Sequence, residues 1–143
     1  MDIEILKIAE NTNHNKILKY HTHFLKLKNS LCGDEIQISL IIKNDKIINF
    51  GYEGKCCIYC QASASLLSEV SINQKKNKID ELCNNANLFF KDNKGLVGKK
   101  LGKFKKLFKK ENFPRKDCIL LPFKTFKKIK KVVLNNFVLD NTN

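Results

Sequence analysis

Between residues 35 and 52 the chain alternates apolar and polar positions. Ile36, Ile38, Leu40 and Ile42 fall on one side of an extended backbone, and Gln37, Ser39 and Lys43 fall mostly on the other. That period predicts a strand over 35–42 with one buried face. Asn44-Asp45 supplies turn chemistry. Residues 46–52, with Ile47, Ile48 and Phe50, then predict a second strand, paired with the first as an antiparallel hairpin. Thr22, Phe24, Leu25 and Leu27 fit a third strand over 22–28, which gives the hairpin a sheet to belong to. Ahead of it, residues 1–12 carry Ile3, Ile5, Leu6 and Ile8 and predict a short helix at an edge.

After Cys60 the period becomes helical. Ala62-Ser63-Ala64-Ser65 is small enough to pack closely on a sheet, and Leu66, Leu67 and Val70 continue an apolar face. A second helix is predicted over 79–90, with Ile79, Leu82, Cys83, Ala86, Phe89 and Phe90 along one side. Cys83 on that stripe reads as a small buried hydrophobe. Leu101, Phe104, Leu107 and Phe108 predict a third helix over 97–110, broken at Pro114. A last helix is predicted over 119–138, with Pro122 in its first turn and Cys118 just before its start. Residues 140–143 are expected to fray. The expectation is one domain over 1–143 of α+β class, a small antiparallel sheet of about three strands against a layer of helices.

Charge changes this picture little. The chain has 143 residues and a net charge of +13, and of its 27 basic residues only Arg115 is an arginine. Nucleic-acid readers favour the planar guanidinium, so the lysine excess reads as a solvated face rather than a nucleic-acid site. It could also steer the protein toward an acidic partner. No apolar run reaches the length of a membrane span, and Met1-Asp2-Ile3-Glu4 has no signal-peptide character. A cytoplasmic protein is therefore expected, whose six cysteines stay reduced and serve as metal ligands or reactive thiols. His21-Thr22-His23 has no cysteine or carboxylate close by and reads as a polar surface segment.

The cysteines have distinctive surroundings. Gly54-Lys55-Cys56-Cys57-Ile58-Tyr59-Cys60-Gln61 puts three thiols within five positions. Cys32 stands in Cys32-Gly33-Asp34, and Cys118 in Pro114-Arg115-Lys116-Asp117-Cys118. Cys32-Gly33-Asp34 precedes the first hairpin strand and Cys56 to Cys60 follows the second. An antiparallel hairpin brings these two outer ends together. Thiolates and a carboxylate are the donors of a tetrahedral zinc site. The same thiolates could hold an iron–sulfur cluster, and a cysteine in a turn could accept sulfur from a persulfide. Cys57-x-x-Cys60 has redox-pair spacing but lacks a βαβ context. Spacing alone does not choose among Cys56, Cys57 and Cys60.

Cys-Gly-Asp before a strand, Gly-x-x-Cys followed by Ala-Ser-Ala-Ser, and a final Arg-x-x-Cys at a helix start resemble the IscU/NifU N-terminal family over roughly residues 29–130. That family comprises the scaffold and sulfur-acceptor proteins of iron–sulfur cluster assembly. Phe113-Pro114-Arg115-x-x-Cys118 and the lysine-rich stretch 91–110 are most similar to its SufU branch. The IscU branch has a histidine directly before the last cysteine, where this chain has Asp117. The resemblance implies that Cys32, Asp34, Cys57 and Cys118 are zinc ligands, that Cys32 carries the persulfide, and that Arg115 supports the site. It implies a sulfur-transfer protein rather than a stand-alone enzyme. Its partners would be a SufS-like, pyridoxal-phosphate-dependent cysteine desulfurase and downstream cluster-assembly proteins. The second function it implies is a scaffold for a 2Fe–2S cluster. Cys56 replaces the family's usual glycine and Cys60 its serine or alanine. Both read as spectators.

Overall fold

The computed structural model describes residues 2–92 and 102–132. Helix α1 (Ile3–Ala9) starts where the Asp2 carboxylate accepts the Glu4 N–H at 2.9 Å; it packs Ile5 and Ala9 inward against α2. Strands β1 (His23–Lys28), β2 (Glu35–Lys43) and β3 (Lys46–Lys55) follow, then α2 (Ile58–Ser71), α3 (Lys76–Asp92), α4 (Lys116–Lys128) and the two-residue β4 (Lys130–Lys131). The strands form one antiparallel sheet in the order β3-β2-β1-β4.

The hairpin closes as a tight turn, with Asn44 at φ 54° and Asp45 at φ 63°. Both residues left-handed is the turn whose twist matches a two-residue hairpin loop, and Asn and Asp tolerate it best among residues with a Cβ. Ile41 pairs with Asn49 but Ile42 with Ile47, so Ile48 is an extra residue on β3. This bulge lets both Ile47 and Phe50 face the core although they are three positions apart; Ile48 is turned outward, 43% exposed.

Helices α2 and α4 lie against the sheet and against each other. Ile36, Ile38, Leu40 and Phe50 are fully or almost fully buried, with Ala62, Ala64 and Leu67 on α2 and Ile119, Phe123 and Phe126 on α4. The Phe50 and Phe126 rings stack at 6.3 Å. A second nest joins Phe89, Phe90, Phe104, Phe108, Phe113 and Phe123, with neighbouring centroids 5.0 to 6.0 Å apart. The polar face of the hairpin is also partly covered. Ser39 is buried because its hydroxyl accepts the Leu18 N–H at 3.1 Å, and the Tyr52 N–H donates to the His14 carbonyl at 3.0 Å. Gly51 permits this crossing, since a Cβ there would stand 2.2 Å from the Lys16 carbonyl oxygen.

Three expectations change. Of the third helix expected over 97–110, residues 97–101 lie outside the described residues, and the rest forms two 3-10 helices, Gly102–Lys106 and Lys110–Arg115. Gly102 at φ +44° and the extended backbone at Lys109 interrupt a continuous helix. Pro114 sits inside the second 3-10 helix rather than ending an α-helix. The last helix starts earlier and ends sooner than expected. Cys118 is its third residue, and Ile129 turns to extended backbone so that β4 can pair with the free edge of β1. Residues 133–138 of that expectation, and residues 140–143 where fraying is expected, lie outside the described residues. Among the described residues no helix is long and apolar enough to cross a membrane.

Candidate functional site

The site lies at the open end of the hairpin, where Glu35 pairs with Lys55 and Ile36 with Gly54. Gly54 has no room for a side chain, because a Cβ would stand 2.6 Å from the Glu35 carbonyl oxygen. The segments that run on from these strand ends are therefore neighbours, and the Cys57 N–H donates to an Asp34 carboxylate oxygen at 3.3 Å.

Asn29 builds the loop that presents Cys32. Its backbone N–H donates to the Asp34 carbonyl at 2.7 Å, its carbonyl accepts the Gly33 N–H at 2.8 Å, and its side-chain oxygen accepts the Leu31 N–H at 2.8 Å. Its side-chain amide donates to the Asp117 carbonyl at 3.4 Å, which ties the loop to the start of α4. Gly33 takes φ +78°, a conformation that suits glycine. Sequence reasoning overlooked Asn29; the available signal was an Asx-turn residue four positions before a glycine.

Donors arrive from the loop and from α4. The Cys32 and Cys118 sulfurs and a carboxylate oxygen of Asp34 lie within 4.8 Å of one another. Cys32 is exposed, Asp34 half-buried and Cys118 buried. Cys57 caps the start of α2 without using its thiol in the cap. Burial pushes the Cys118 pKa well up, and the neighbouring Cys57 thiol and Asp34 carboxylate push it further. Each negative charge here opposes the next, a conflict that a bound divalent cation removes. The two sulfurs and one carboxylate that meet here are donors of the kind zinc takes, and Cys57, whose N–H reaches Asp34, is the candidate for a fourth ligand although its sulfur is not one of the three atoms gathered within 4.8 Å.

The surrounding residues sort themselves. Arg115 is exposed, and its guanidinium lies over the Tyr59 ring at 5.5 Å, joining the start of α4 to the first turn of α2. Cys60 is fully buried and Cys56 half-buried. Contact with the Cys56 thiol and burial both push the Cys60 pKa up. Cys83 is buried on α3 beside α4, as a core residue would be. His21 and His23 lie toward the other end of the sheet, where His23 pairs with Leu40. His21 Nδ1 contacts the Leu18 carbonyl at 3.0 Å and His23 Nδ1 the Thr22 hydroxyl at 2.8 Å, so both rings have partners away from the cysteines.

This fold is shared with known proteins. The family described as NifU-like N terminal domain matches residues 3–95. An iron–sulfur cluster assembly scaffold protein IscU from Thermotoga maritima is 32% identical over 107 residues, covering 74% of this chain and 75% of its own. The structure of an iron–sulfur cluster assembly scaffold protein for the SUF system from Fervidobacterium islandicum AW-1 matches with a TM-score of 0.82 at 26% identity, over 89% of this chain and 93% of that one. A nitrogen-fixing NifU-like N-terminal structure from Brucella abortus shares the fold at a TM-score of 0.76 and 19% identity, over 88% of each chain. The chain belongs to the NifU-like N-terminal domain family, and its α+β architecture is that of the IscU/SufU type.

Proposed function

We propose that this protein serves iron–sulfur cluster assembly by accepting persulfide sulfur at Cys32, with Cys32, Asp34, Cys57 and Cys118 as the ligands of a zinc ion. The observation that carries this reading is the meeting of the Cys32, Asp34 and Cys118 donor atoms within 4.8 Å, with the Cys57 N–H donating to Asp34 beside them. Zinc, when bound, keeps its ligand thiols in the thiolate form. Cys32 is the acceptor because it alone of these three thiols is exposed. Its thiolate attacks the outer sulfur of a persulfide on a pyridoxal-phosphate-dependent cysteine desulfurase. The bond from that sulfur to the partner's cysteine breaks, the partner leaves as thiolate, and Cys32 keeps the sulfur. Asn29 and Gly33 hold the loop in position for this exchange, while Arg115 and Tyr59 brace the turn that carries Cys57. Reduced thiols suit a cytoplasmic setting.

A scaffold role is the second reading, in which the same four residues hold a 2Fe–2S cluster as cargo for apo-proteins. What favours it is the description of the Thermotoga maritima relative. Metal and sulfide analysis of the purified chain separates the two. The first reading expects one zinc per chain, lost in Asp34→Ala, and desulfurase stimulation that Cys32→Ala abolishes and Cys83→Ala retains. Sulfur acceptance by Cys32→Ala would overturn it. Iron with matching sulfide after anaerobic reconstitution, transferable to an apo-ferredoxin, would establish the scaffold.

A further inference from the structure

We propose that Cys56 and Cys60 form a built-in two-electron reductant that converts the sulfur received at Cys32 into sulfide. This rests on the acceptor role of Cys32. The sulfur of a persulfide has to gain two electrons before it can enter a cluster as sulfide. Of the five thiols at this end of the molecule, three are engaged as ligands in the reading above. Cys56 and Cys60 remain, and a dithiol supplies two electrons when it closes to a disulfide.

Cys56 directly precedes the cap residue Cys57 and Cys60 lies in the first turn of α2, so the two cysteines stand one turn apart at the helix start, and the Cys56 thiol is the leading cause of the raised Cys60 pKa. Cys56 is half-buried and lies just outside α2, where its backbone is free of the helix ladder; its carbonyl accepts the Gln61 side-chain amide at 2.9 Å. Cys60 is on the first turn of α2 and fully buried. An accessible thiol backed by a sheltered one is the arrangement of an attacking and a resolving cysteine. The pair is also next to the acceptor loop: Cys56 adjoins Cys57, whose N–H bonds Asp34, two residues from Cys32.

The exchange balances in two steps. The Cys56 thiolate attacks the inner sulfur of the Cys32 persulfide; the S–S bond of the persulfide breaks, hydrosulfide leaves, and a Cys32–Cys56 disulfide forms. Cys60 then attacks the Cys56 sulfur, its proton passing to the departing Cys32 sulfur, so that Cys32 is released as a thiol and the Cys56–Cys60 disulfide forms. One persulfide and two thiols become one thiol, one sulfide and one disulfide. A dithiol reductant of the surroundings returns two electrons and two protons to Cys56 and Cys60 for the next turnover.

The test uses the full reduced chain as purified. It is given glutathione persulfide, separated at once from small thiols, and followed by sulfide release and by peptide mass mapping. Wild type is expected to release sulfide without added reductant and to lose two hydrogens in a Cys56–Cys60 disulfide. Cys56→Ser, and the double variant Cys56→Ser/Cys60→Ser, are expected to keep the sulfur on Cys32. Their sulfide release should fall on the order of tenfold and return when dithiothreitol is added. Cys56→Ser touches no fully buried position, so its result does not depend on the core tolerating a change at Cys60. Release by either variant at the wild-type rate would overturn the inference, as would a wild-type disulfide confined to Cys32, Cys57 and Cys118. Sulfur still found on Cys32 in that event leaves the acceptor reading standing. Absence of sulfur from Cys32 in every form removes both.

Discussion

Gly54→Ala is the most direct probe of how the sheet positions the site. The new Cβ would stand 2.6 Å from the Glu35 carbonyl oxygen, 3.2 Å from Ile36 Cα and 3.4 Å from Ile36 Cβ. An ordinary carbon–oxygen contact needs about 3.3 Å, so the strands must part by roughly 0.7 Å. The obstruction is backbone within a paired ladder, and no side-chain rotation relieves it. Overpacking of this kind costs about 1–3 kcal/mol. With a urea slope of about 2 kcal/mol/M, a loss of about 2 kcal/mol lowers the unfolding midpoint by about 1 M. The displaced groups lead directly to Asp34 on one strand and toward Cys57 on the other, so under the zinc reading proposed above the retention of zinc against a chelator should fall as well. Gly33 supplies the contrast. It has open space around it but takes φ +78°, so Gly33→Ala should cost about 1–2 kcal/mol through backbone conformation alone. Gly33→Asn should recover most of that, whereas Gly54→Asn should be no better than Gly54→Ala. An unchanged midpoint in Gly54→Ala would refute the steric argument, and equal losses for Ala and Asn at Gly33 would refute the conformational one.

Two further outcomes follow from buried polar groups. The Ser63 hydroxyl donates to the Ile119 carbonyl at 2.7 Å, joining α2 to α4 beside Cys118; Ser63→Ala should cost about 1 kcal/mol in chemical denaturation, and a loss near zero would show that the contact adds nothing. Burial, with Lys76 and Lys131 nearby, holds His23 below its ordinary pKa. The unfolded chain therefore takes up this proton first, and stability should decline as pH falls through about 6.5 toward the lowered value. His23→Gln should lack that part of the decline, and matching slopes for mutant and wild type between about pH 7 and pH 5 would refute the assignment.

The sheet was largely legible from sequence because Ile36, Ile38 and Leu40 alternate without interruption and Asn44-Asp45 marks the turn. The bulge at Ile48 was hidden, since three apolar residues within 47–50 satisfy more than one register. Burial of Ser39 was invisible for another reason: it depends on the segment around Leu18 crossing the sheet, a long-range event without a local signal. The same divide runs through the site. Hairpin geometry alone brings Cys32 and Asp34 near Cys57, but Cys118 arrives only because α4 packs on the sheet. Its helix begins earlier than the apolar spacing suggests, since Lys116 and Asp117 are polar members of the first turn. Spacing did not distinguish Cys57 from its neighbours. The fold adds one difference: the Cys57 N–H donates to Asp34.

The sheet's two boundaries bear on how the molecule behaves when crowded. Three outward-facing backbone groups of β3 are already engaged: the Tyr52 N–H by the His14 carbonyl, the Ile47 N–H by the Gln74 carbonyl at 2.8 Å, and the Ile47 carbonyl by the Asn73 N–H at 2.7 Å. The opposite boundary, β4, is only two residues long, and both are exposed lysines. A second copy seeking to add a strand meets these filled bonding positions on β3 and, where β4 covers the His23–Phe24 part of β1, a pair of exposed lysines. Lys130 and Lys131 thus act as a guard against edge-to-edge aggregation at that corner of the sheet.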